Sequence, residues 1–242
     1  MGREGVVMRN IQRVNHRYNR RCLGQSLAVI CAAVAFAVVS APRSGAQTIL
    51  GPSISLASLT NSGADLIVGD KEFDNFSISG DFTASQVTVT PFQLGADFGI
   101  RFGGSFVATG TSKDMILGYQ VTVTNSLNLI SAANLQFDGQ VTSGTGLAEV
   151  VEQVFTNNPP SFYGQMFVFA TATANQLSAS LPIIPPQSFL VINKDVELTA
   201  FLPANSSITT IDQTFTQVPE PGALALVAVG LSGLFLVRRR FR

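Results

Sequence analysis

The sequence predicts an all-β protein: a single antiparallel β-sandwich or jelly-roll domain, flanked by an N-terminal signal helix and a C-terminal transmembrane helix. Short segments rich in Thr, Val, Ile and Phe alternate polar and apolar residues, as in 86–90 and 118–124. Clusters of Gly, Asn, Asp and Pro separate these segments and are typical of turns. Between the two apolar ends no stretch has a convincing helical period, and the length suits one sizeable core.

The predicted strands lie within a domain that spans residues 47–217. They are 53–59, 73–78, 86–90, 98–102, 105–109, 115–124, 127–135, 147–155, 162–173, 189–202 and 207–217. The predicted turns are 61–63, 68–70, 79–81, 103–104, 138–139, 144–146, 157–160 and 185–186. Many short strands at this spacing favour a sandwich or a jelly roll.

The N-terminal 46 residues have the layout of a secretory signal peptide. An Arg-rich stretch is followed by an apolar run at 27–39 and then by small residues, and cleavage is predicted between Ala46 and Gln47. The apolar run is short for a membrane span, which needs about 20 residues. Met8 is an alternative start to Met1, and Arg20-Arg21 leaves twin-arginine export as an alternative route.

The C-terminal segment, residues 218–242, also has three parts. Pro219, Glu220 and Pro221 precede an apolar run at 222–237, which predicts a transmembrane helix of about 24 Å. A basic stop follows, formed by Arg238, Arg239 and Arg240. Positive charge stays on the cytoplasmic side, so both chain ends are predicted inside and the domain between them outside.

This C-terminal order of Pro-Glu-Pro, apolar run and Arg cluster resembles the PEP-CTERM sorting signal of Gram-negative bacteria. The resemblance covers only about 25 residues. It implies export through the Sec machinery, a stay in the inner membrane, and cleavage near the motif by the protease-transpeptidase exosortase. It further implies release or transfer to the outer surface, in association with exopolysaccharide and biofilm. A plain membrane anchor is the alternative for the tail.

The formal net charge of zero hides an acidic domain. Between the two ends, four basic residues stand against thirteen acidic ones, a formal charge of −9, which argues against a nucleic-acid partner. Both Cys and the single His lie in the signal peptide, at Cys22, Cys31 and His16. The domain therefore has no residues for a Ser-His-Asp triad, a thiol nucleophile or an ordinary zinc site. No cofactor is expected, and only oxygen-ligand metals such as calcium remain plausible.

Asp70, Glu72 and Asp74 are the candidate calcium ligands. Their spacing places all three on one face of a strand, although a solvated strand edge is the simpler interpretation. Elsewhere, the odd spacing of Glu149 and Glu152 predicts opposite faces. Asp195 and Glu197 are predicted to share a face, most simply an exposed one.

Three functions remain open, and the first is preferred. It is a non-enzymatic, exported protein of the cell surface or extracellular matrix. The alternative is a carbohydrate-binding or adhesin module, which predicts Tyr163 or several Phe side chains exposed on a sheet face. The third is a secreted glycan-active enzyme, which predicts two carboxyl groups facing each other across a cleft, about 5–9 Å apart.

Overall fold

The computed structural model describes residues 47–156 and 160–219. The predicted signal peptide, most of the sorting segment (Glu220, Pro221, 222–237 and the Arg cluster) and the first three residues of the predicted 157–160 turn lie outside the described residues. The all-β prediction is confirmed: two antiparallel seven-stranded sheets pack face to face. All of the described residues belong to one unit of the chain.

Sheet A has the strand order β1-β5-β6-β14-β8-β12, and β2 pairs with β5. Its strands are β1 (Gln47–Ile49), β2 (Ile54–Ser55), β5 (Thr88–Leu94), β6 (Asp97–Thr109), β8 (Asn128–Val141), β12 (Ser178–Gln187) and β14 (Asn205–Pro219). The last strand of the domain, β14, therefore lies in the middle of this sheet, between β6 and β8.

Sheet B has the strand order β11-β10-β9-β13-β7-β4-β3. Its strands are β3 (Leu66–Val68), β4 (Lys71–Gly80), β7 (Ser112–Val123), β9 (Gly146–Thr156), β10 (Ser161–Ala170), β11 (Asn175–Gln176) and β13 (Phe189–Ala200). Alternate residues along β13 are buried and exposed, as a strand with one face on the core requires.

The core lies between the sheets and is rich in aromatic rings. Tyr119 on β7 packs against Phe73 and Phe102, with ring centroids 6.1 Å and 5.6 Å away, and Phe215 on β14 lies 6.0 Å from Phe73. All four side chains are almost completely buried. Aromatic pairs at these distances add to the free energy gained by burial alone. The two sheets are therefore joined by a continuous apolar layer.

The strand predicted at 53–59 is wrong over most of its length, because a short helix, α1 (Leu56–Ser62), follows the two residues of β2. Ser55 caps this helix by accepting a hydrogen bond from the backbone N–H of Ala57, and Gly63 ends it in the left-handed conformation. Leu56 and Leu59 face the core. A helix of seven residues, about two turns, is too short to leave a clear helical period in the sequence.

Two predicted turns lie inside strands. Gly103 and Gly104 belong to β6, and Asp138 and Gly139 belong to β8. Both sites lie beside an irregularity in the register of β14, between Ile208 and Thr210. Glycine is common at such irregularities, so these residues indicate a distorted ladder rather than a chain reversal.

The predicted turn at Pro185 and Pro186 also lies within a strand, β12, which runs along the edge of sheet A. Proline has no backbone N–H to donate, so an edge strand tolerates it. The register of β12 against β8 is broken between Pro182 and Gln187, where the prolines lie. No helix among residues 47–156 and 160–219 is long and apolar enough to cross a membrane.

Candidate functional site

The final strand carries the chain directly into the predicted sorting motif. Pro219, the first Pro of that motif, is the last residue of β14 and is in register with Asn128, the first residue of β8. The first residue after the strand is Glu220. No loop separates the folded domain from the motif, so the motif begins at one end of sheet A.

The first strand begins at that same end. Gln47, predicted as the first residue after signal cleavage, pairs with Leu94, and Leu94 pairs with Asp97 on β6. The adjoining pair, Phe98 with Phe215, places Asp97 level with Thr216 on β14, and the Thr216 hydroxyl donates to the Asp97 carboxylate at 3.1 Å. Gln47 and Pro219 therefore both leave sheet A at one end, which is called the exit end below.

Asp70 connects the two sheets at the exit end. It lies in the turn before β4, and its carboxylate accepts hydrogen bonds from Lys71 Nζ at 2.9 Å, Asn128 Nδ2 at 3.0 Å and Gln217 Nε2 at 2.5 Å. Burial opposes the charged form, but these hydrogen bonds and the Lys71 charge outweigh it and lower the pKa of Asp70. Lys71 is fully buried, so Asp70 also compensates a buried charge.

The structure does not bring the calcium candidates together. Asp70 precedes the strand and turns inward to Lys71, whereas Glu72 and Asp74 are half-exposed on the other face of β4. Burial, together with the charge of Asp65, raises the pKa of Asp74. Within the two described segments, no three acidic side chains are placed to hold a metal ion. The Asp70 carboxylate is instead used within the fold.

The outward face of sheet B, called the sheet-B outer face below, carries an exposed aromatic pair. Phe167 and Phe169 on β10 stack with ring centroids 6.2 Å apart and an interplanar angle of 24°, and Phe167 is 46% exposed. Across the strands, Phe169 pairs with Glu149 and Phe167 with Val151. The two rings therefore form an exposed apolar surface next to the carboxylate of Glu149.

Four carboxylates lie on this face, and Glu149 is the one next to the aromatic pair. Glu197 is in register with Glu149 on one side and with Asp114 on the other, and Asp195 lies two residues before Glu197. Partial burial raises the pKa of Glu149, and the charges of Glu197 and Asp195 raise it further. The pKa of Asp195 is raised by burial and then by Asp114 and Glu197. The prediction that Asp195 and Glu197 share an exposed face is confirmed.

A row of amide and hydroxyl groups runs beside the carboxylates. Gln165, Gln153 and Asn193 follow one another in register across β10, β9 and β13, and Gly118 and Ser77 continue the row. A Cβ at Gly118 would lie 2.5 Å from Ser77 Oγ and 3.1 Å from Asn193 Oδ1, so only glycine lets these two side chains approach over it. The row offers hydrogen-bond donors and acceptors to a polar ligand.

Tyr163, whose exposure the carbohydrate-binding alternative predicts, does not form a platform. The hydroxyl of Tyr163 lies 3.2 Å from the backbone oxygens of Pro182 and Ile184 and accepts a hydrogen bond from the N–H of Ile184. Its ring packs against the core, and Tyr119 is buried. Most Phe side chains are also buried, and Phe162, Phe167 and Phe201 are the exposed exceptions among the described residues.

A polar cluster that the sequence analysis missed lies at the centre of the core. Lys194 on β13, Glu152 on β9 and Gln213 on β14 are each fully buried. Lys194 Nζ donates to Glu152 Oε2, and to Gln213 Oε1 at 2.5 Å. The prediction that Glu149 and Glu152 lie on opposite faces is confirmed. The alternation of Lys194 with Ile192 and Val196 was the signal in the sequence that could have revealed a core-facing lysine.

Together, the fold and the sorting motif define a class: an exported β-sandwich protein whose C-terminus carries a sorting signal. Residues 217–240 match the model of the PEP-CTERM protein-sorting motif. The chain thus carries the signal by which exosortase sorts exported proteins, as the resemblance implied. No curated protein matches the sequence.

Among solved structures, the fold is similar to TmCBM61 in complex with beta-1,4-galactotriose, at 13% identity and a TM-score of 0.30, over 60% of this chain and 89% of that chain. The tailspike protein 4 enzymatically active domain of bacteriophage CBA120 matches at 11% identity and a TM-score of 0.27, over 62% of this chain and 19% of its own. The glycosylation-associated Gap123 complex from Streptococcus agalactiae matches at 8% identity and a TM-score of 0.27, over 62% of this chain and 25% of its own.

Proposed function

We propose that this protein is a non-enzymatic component of the cell surface or extracellular matrix, associated with exopolysaccharide and delivered by exosortase. The observation that carries the proposal is the direct continuation of β14 into the sorting motif at Pro219. The exit end also holds Gln47, so both predicted membrane-directed segments would adjoin one end of the sandwich. The rest of the domain, including the sheet-B outer face, would then project away from the membrane.

Fractionation of the native host tests this delivery. Replacing Pro219, Glu220 and Pro221 by alanine should hold the protein in the inner membrane, and the wild type should reach the surface without Arg242. The matched control replaces Pro182, Pro185 and Pro186 in the edge strand, which changes the same residue type outside the motif. Normal surface delivery of the Pro219–Pro221 variant, or an intact Arg242 on exported wild-type protein, would contradict the proposal.

A second candidate function, carbohydrate binding, is supported by the sheet-B outer face. The Phe167–Phe169 pair offers an exposed apolar surface on which the CH face of a sugar ring can stack. Glu149 and the neighbouring row of Gln165, Gln153 and Asn193 offer acceptors and donors for sugar hydroxyls. Because the face is acidic, the ligand we favour is a neutral polysaccharide.

Affinity electrophoresis in gels containing a neutral galactan or glucan tests this binding. The wild type should be retarded, and Phe167→Ala with Phe169→Ala should migrate as in a gel without polysaccharide. Phe162→Ala is the matched control, since Phe162 is exposed on the same strand but pairs with Phe155 away from the carboxylates. Equal retardation of all three proteins would contradict this candidate. If the wild type shortens the polysaccharide and Glu149→Gln does not, the result would instead favour the enzymatic alternative.

A further inference from the structure

The buried cluster of Lys194, Glu152 and Gln213 brings an amine, a carboxyl and a primary amide into contact. Lys194 and Glu152 belong to sheet B and Gln213 to sheet A, so the cluster bridges the two layers. Nζ of Lys194 lies 2.5 Å from Gln213 Oε1. The amide carbon Cδ is about 1.23 Å from that oxygen, so it lies within about 3.7 Å of Nζ. That separation is close to the range in which bound groups react, roughly 3–3.5 Å.

As an ion pair with hydrogen bonds, the cluster is incomplete. Oε1 of Glu152, Nε2 of Gln213 and the hydroxyl of Tyr119 are buried and have no hydrogen-bond partner within the described part of the chain. A buried ion pair of this kind contributes little to stability, because desolvating its charges costs about as much as their attraction returns. Its presence at the centre of an otherwise apolar core therefore calls for a role other than charge pairing.

Burial favours the uncharged forms of both ionisable groups. The pKa of Lys194 is lowered, because the effect of burial outweighs the opposing effect of the neighbouring Glu152. The pKa of Glu152 is raised, because burial outweighs the opposing effects of Lys194 and Gln213. A neutral amine is a nucleophile and a neutral carboxylic acid can donate a proton. Burial thus shifts both groups toward the forms that acyl transfer needs, and Lys194 Nζ is in contact with the amide of Gln213.

We propose that Lys194 and Gln213 form an intramolecular isopeptide bond that joins sheet B to sheet A. Nζ attacks Cδ of Gln213, the Nζ–Cδ bond forms, the Cδ–Nε2 bond breaks, and ammonia leaves. The Glu152 carboxylic acid donates its proton to Nε2 as that group departs and takes one from the attacking nitrogen, so it is a carboxylic acid again at the end of the step. The protons balance within the three residues, and no oxidant or other reactant is consumed.

The surroundings favour formation and retention of this bond. The rings of Tyr119, Phe73, Phe102 and Phe215 form the aromatic layer of the core around β7 and β14, which excludes water that would hydrolyse the amide. Nζ itself lies 6.0 Å from the centroid of the Tyr119 ring. The domain has no cysteine for a disulfide. Within the described residues, 47–156 and 160–219, the bond would therefore be the only covalent cross-link between strands.

Digestion of the purified full-length protein on the N-terminal side of aspartate tests the bond directly. The sequence places Asp138, Asp195 and Asp212 so that digestion releases 195–211 and separates 138–194 from the peptide that begins at Asp212. If the bond is present, those two peptides stay joined and their combined mass is lower by about 17 Da, the mass of ammonia. An amide between Lys194 and Glu152 would instead remove about 18 Da, the mass of water, from peptide 138–194 alone. Separate, unmodified peptides, or the loss confined to 138–194, would overturn the proposal.

Three variants separate chemistry from folding. Lys194→Met and Gln213→Leu should each give separate peptides at unmodified mass, and Glu152→Ala should leave the bond unformed in protein that is still folded by circular dichroism. Lys71→Met is the matched control, because Lys71 is the other fully buried lysine and its removal should leave the joined peptides in place. Joined peptides in Gln213→Leu would also overturn the assignment.

Discussion

Gln217 in sheet A donates a hydrogen bond to the carboxylate of Asp70 in the turn between β3 and β4 of sheet B, two residues before Pro219. Asn128, the β8 residue in register with Pro219, donates to the same carboxylate oxygen. The position at which the chain leaves the domain is therefore fixed by both sheets. A processing enzyme acting at the motif would meet an ordered strand end, held by Asp70.

Replacing Asp70 by asparagine should destabilise the domain by about 3 kcal/mol, because Lys71 would keep a buried charge without its partner. Urea unfolding of the exported domain at neutral pH measures this change. Asp65→Asn is the matched control: Asp65 is exposed five residues earlier, and its change should stay within about 0.5 kcal/mol. Equal unfolding midpoints for the two variants would contradict the role given to Asp70.

The same substitution should also alter the pH dependence of stability. The pKa of Asp70 is lowered below its ordinary value of 3.8 in the folded domain, so its contribution is present above that value and is lost as the pH falls through the folded pKa. The difference between wild type and Asp70→Asn should therefore shrink in strong acid. A difference that stays constant down to the acid unfolding transition would show that the Asp70 charge is not its source.

Relieving the repulsion on the sheet-B outer face should stabilise the domain. Glu197→Gln removes one charge from between Glu149 and Asp114 and keeps an acceptor for the Thr199 hydroxyl, so a gain of about 0.5 kcal/mol is expected at pH 7. Burial and neighbouring acids raise the pKa of Glu149 above its ordinary value of 4.5. The contribution of Glu149 to the stability of the domain is therefore present below about pH 4.5 and is lost as the pH rises through the folded pKa. The gain should consequently vanish in acid.

Thermal unfolding at pH 7 and at pH 4 measures that gain. Glu72→Gln is the control on the same face, since its cross-strand neighbours are Ile67 and Thr122 and neither is charged. A similar rise in melting temperature for both variants would attribute the effect to net charge rather than to the pairing of Glu197 with Glu149 and Asp114.

The sequence predicts the class of fold because alternation with a period of two survives in most strands. It does not predict the sites, because those depend on register. Glu149 and Glu197 are 48 positions apart in the sequence and become neighbours only when β9 pairs with β13. Gln213 reaches Lys194 only across the interface between the sheets. The prediction of an exposed face holds for Asp195, whereas Lys194, one residue earlier, faces the core.

Gly99 should resist any side chain, because a Cβ there would lie 1.9 Å from the backbone oxygen of Gln213 on the neighbouring strand. Gly99→Ala must push β6 away from β14, and a loss of about 3 kcal/mol is expected. Gly103→Ala on the same strand is the control, since its Cβ would meet only the Thr88 hydroxyl at 3.0 Å. Denaturant unfolding that ranks Gly103→Ala as the more harmful change would refute this account of β6.

The domain should need its last strand but nothing beyond it. A chain that ends after Pro219 keeps every described contact of β14, including Ile211 and Phe215 in the core and the hydrogen bond from Gln217 to Asp70. A chain that ends after Thr210 loses these contacts and leaves residues 98–102 of β6 and 128–137 of β8 without the strand that lies between them. Unpaired backbone groups on two facing strand edges are costly, so only the longer chain should fold. Limited proteolysis distinguishes the two: resistance of the chain ending after Pro219 and rapid digestion of the shorter one are expected, and equal resistance would show that the sandwich closes without β14.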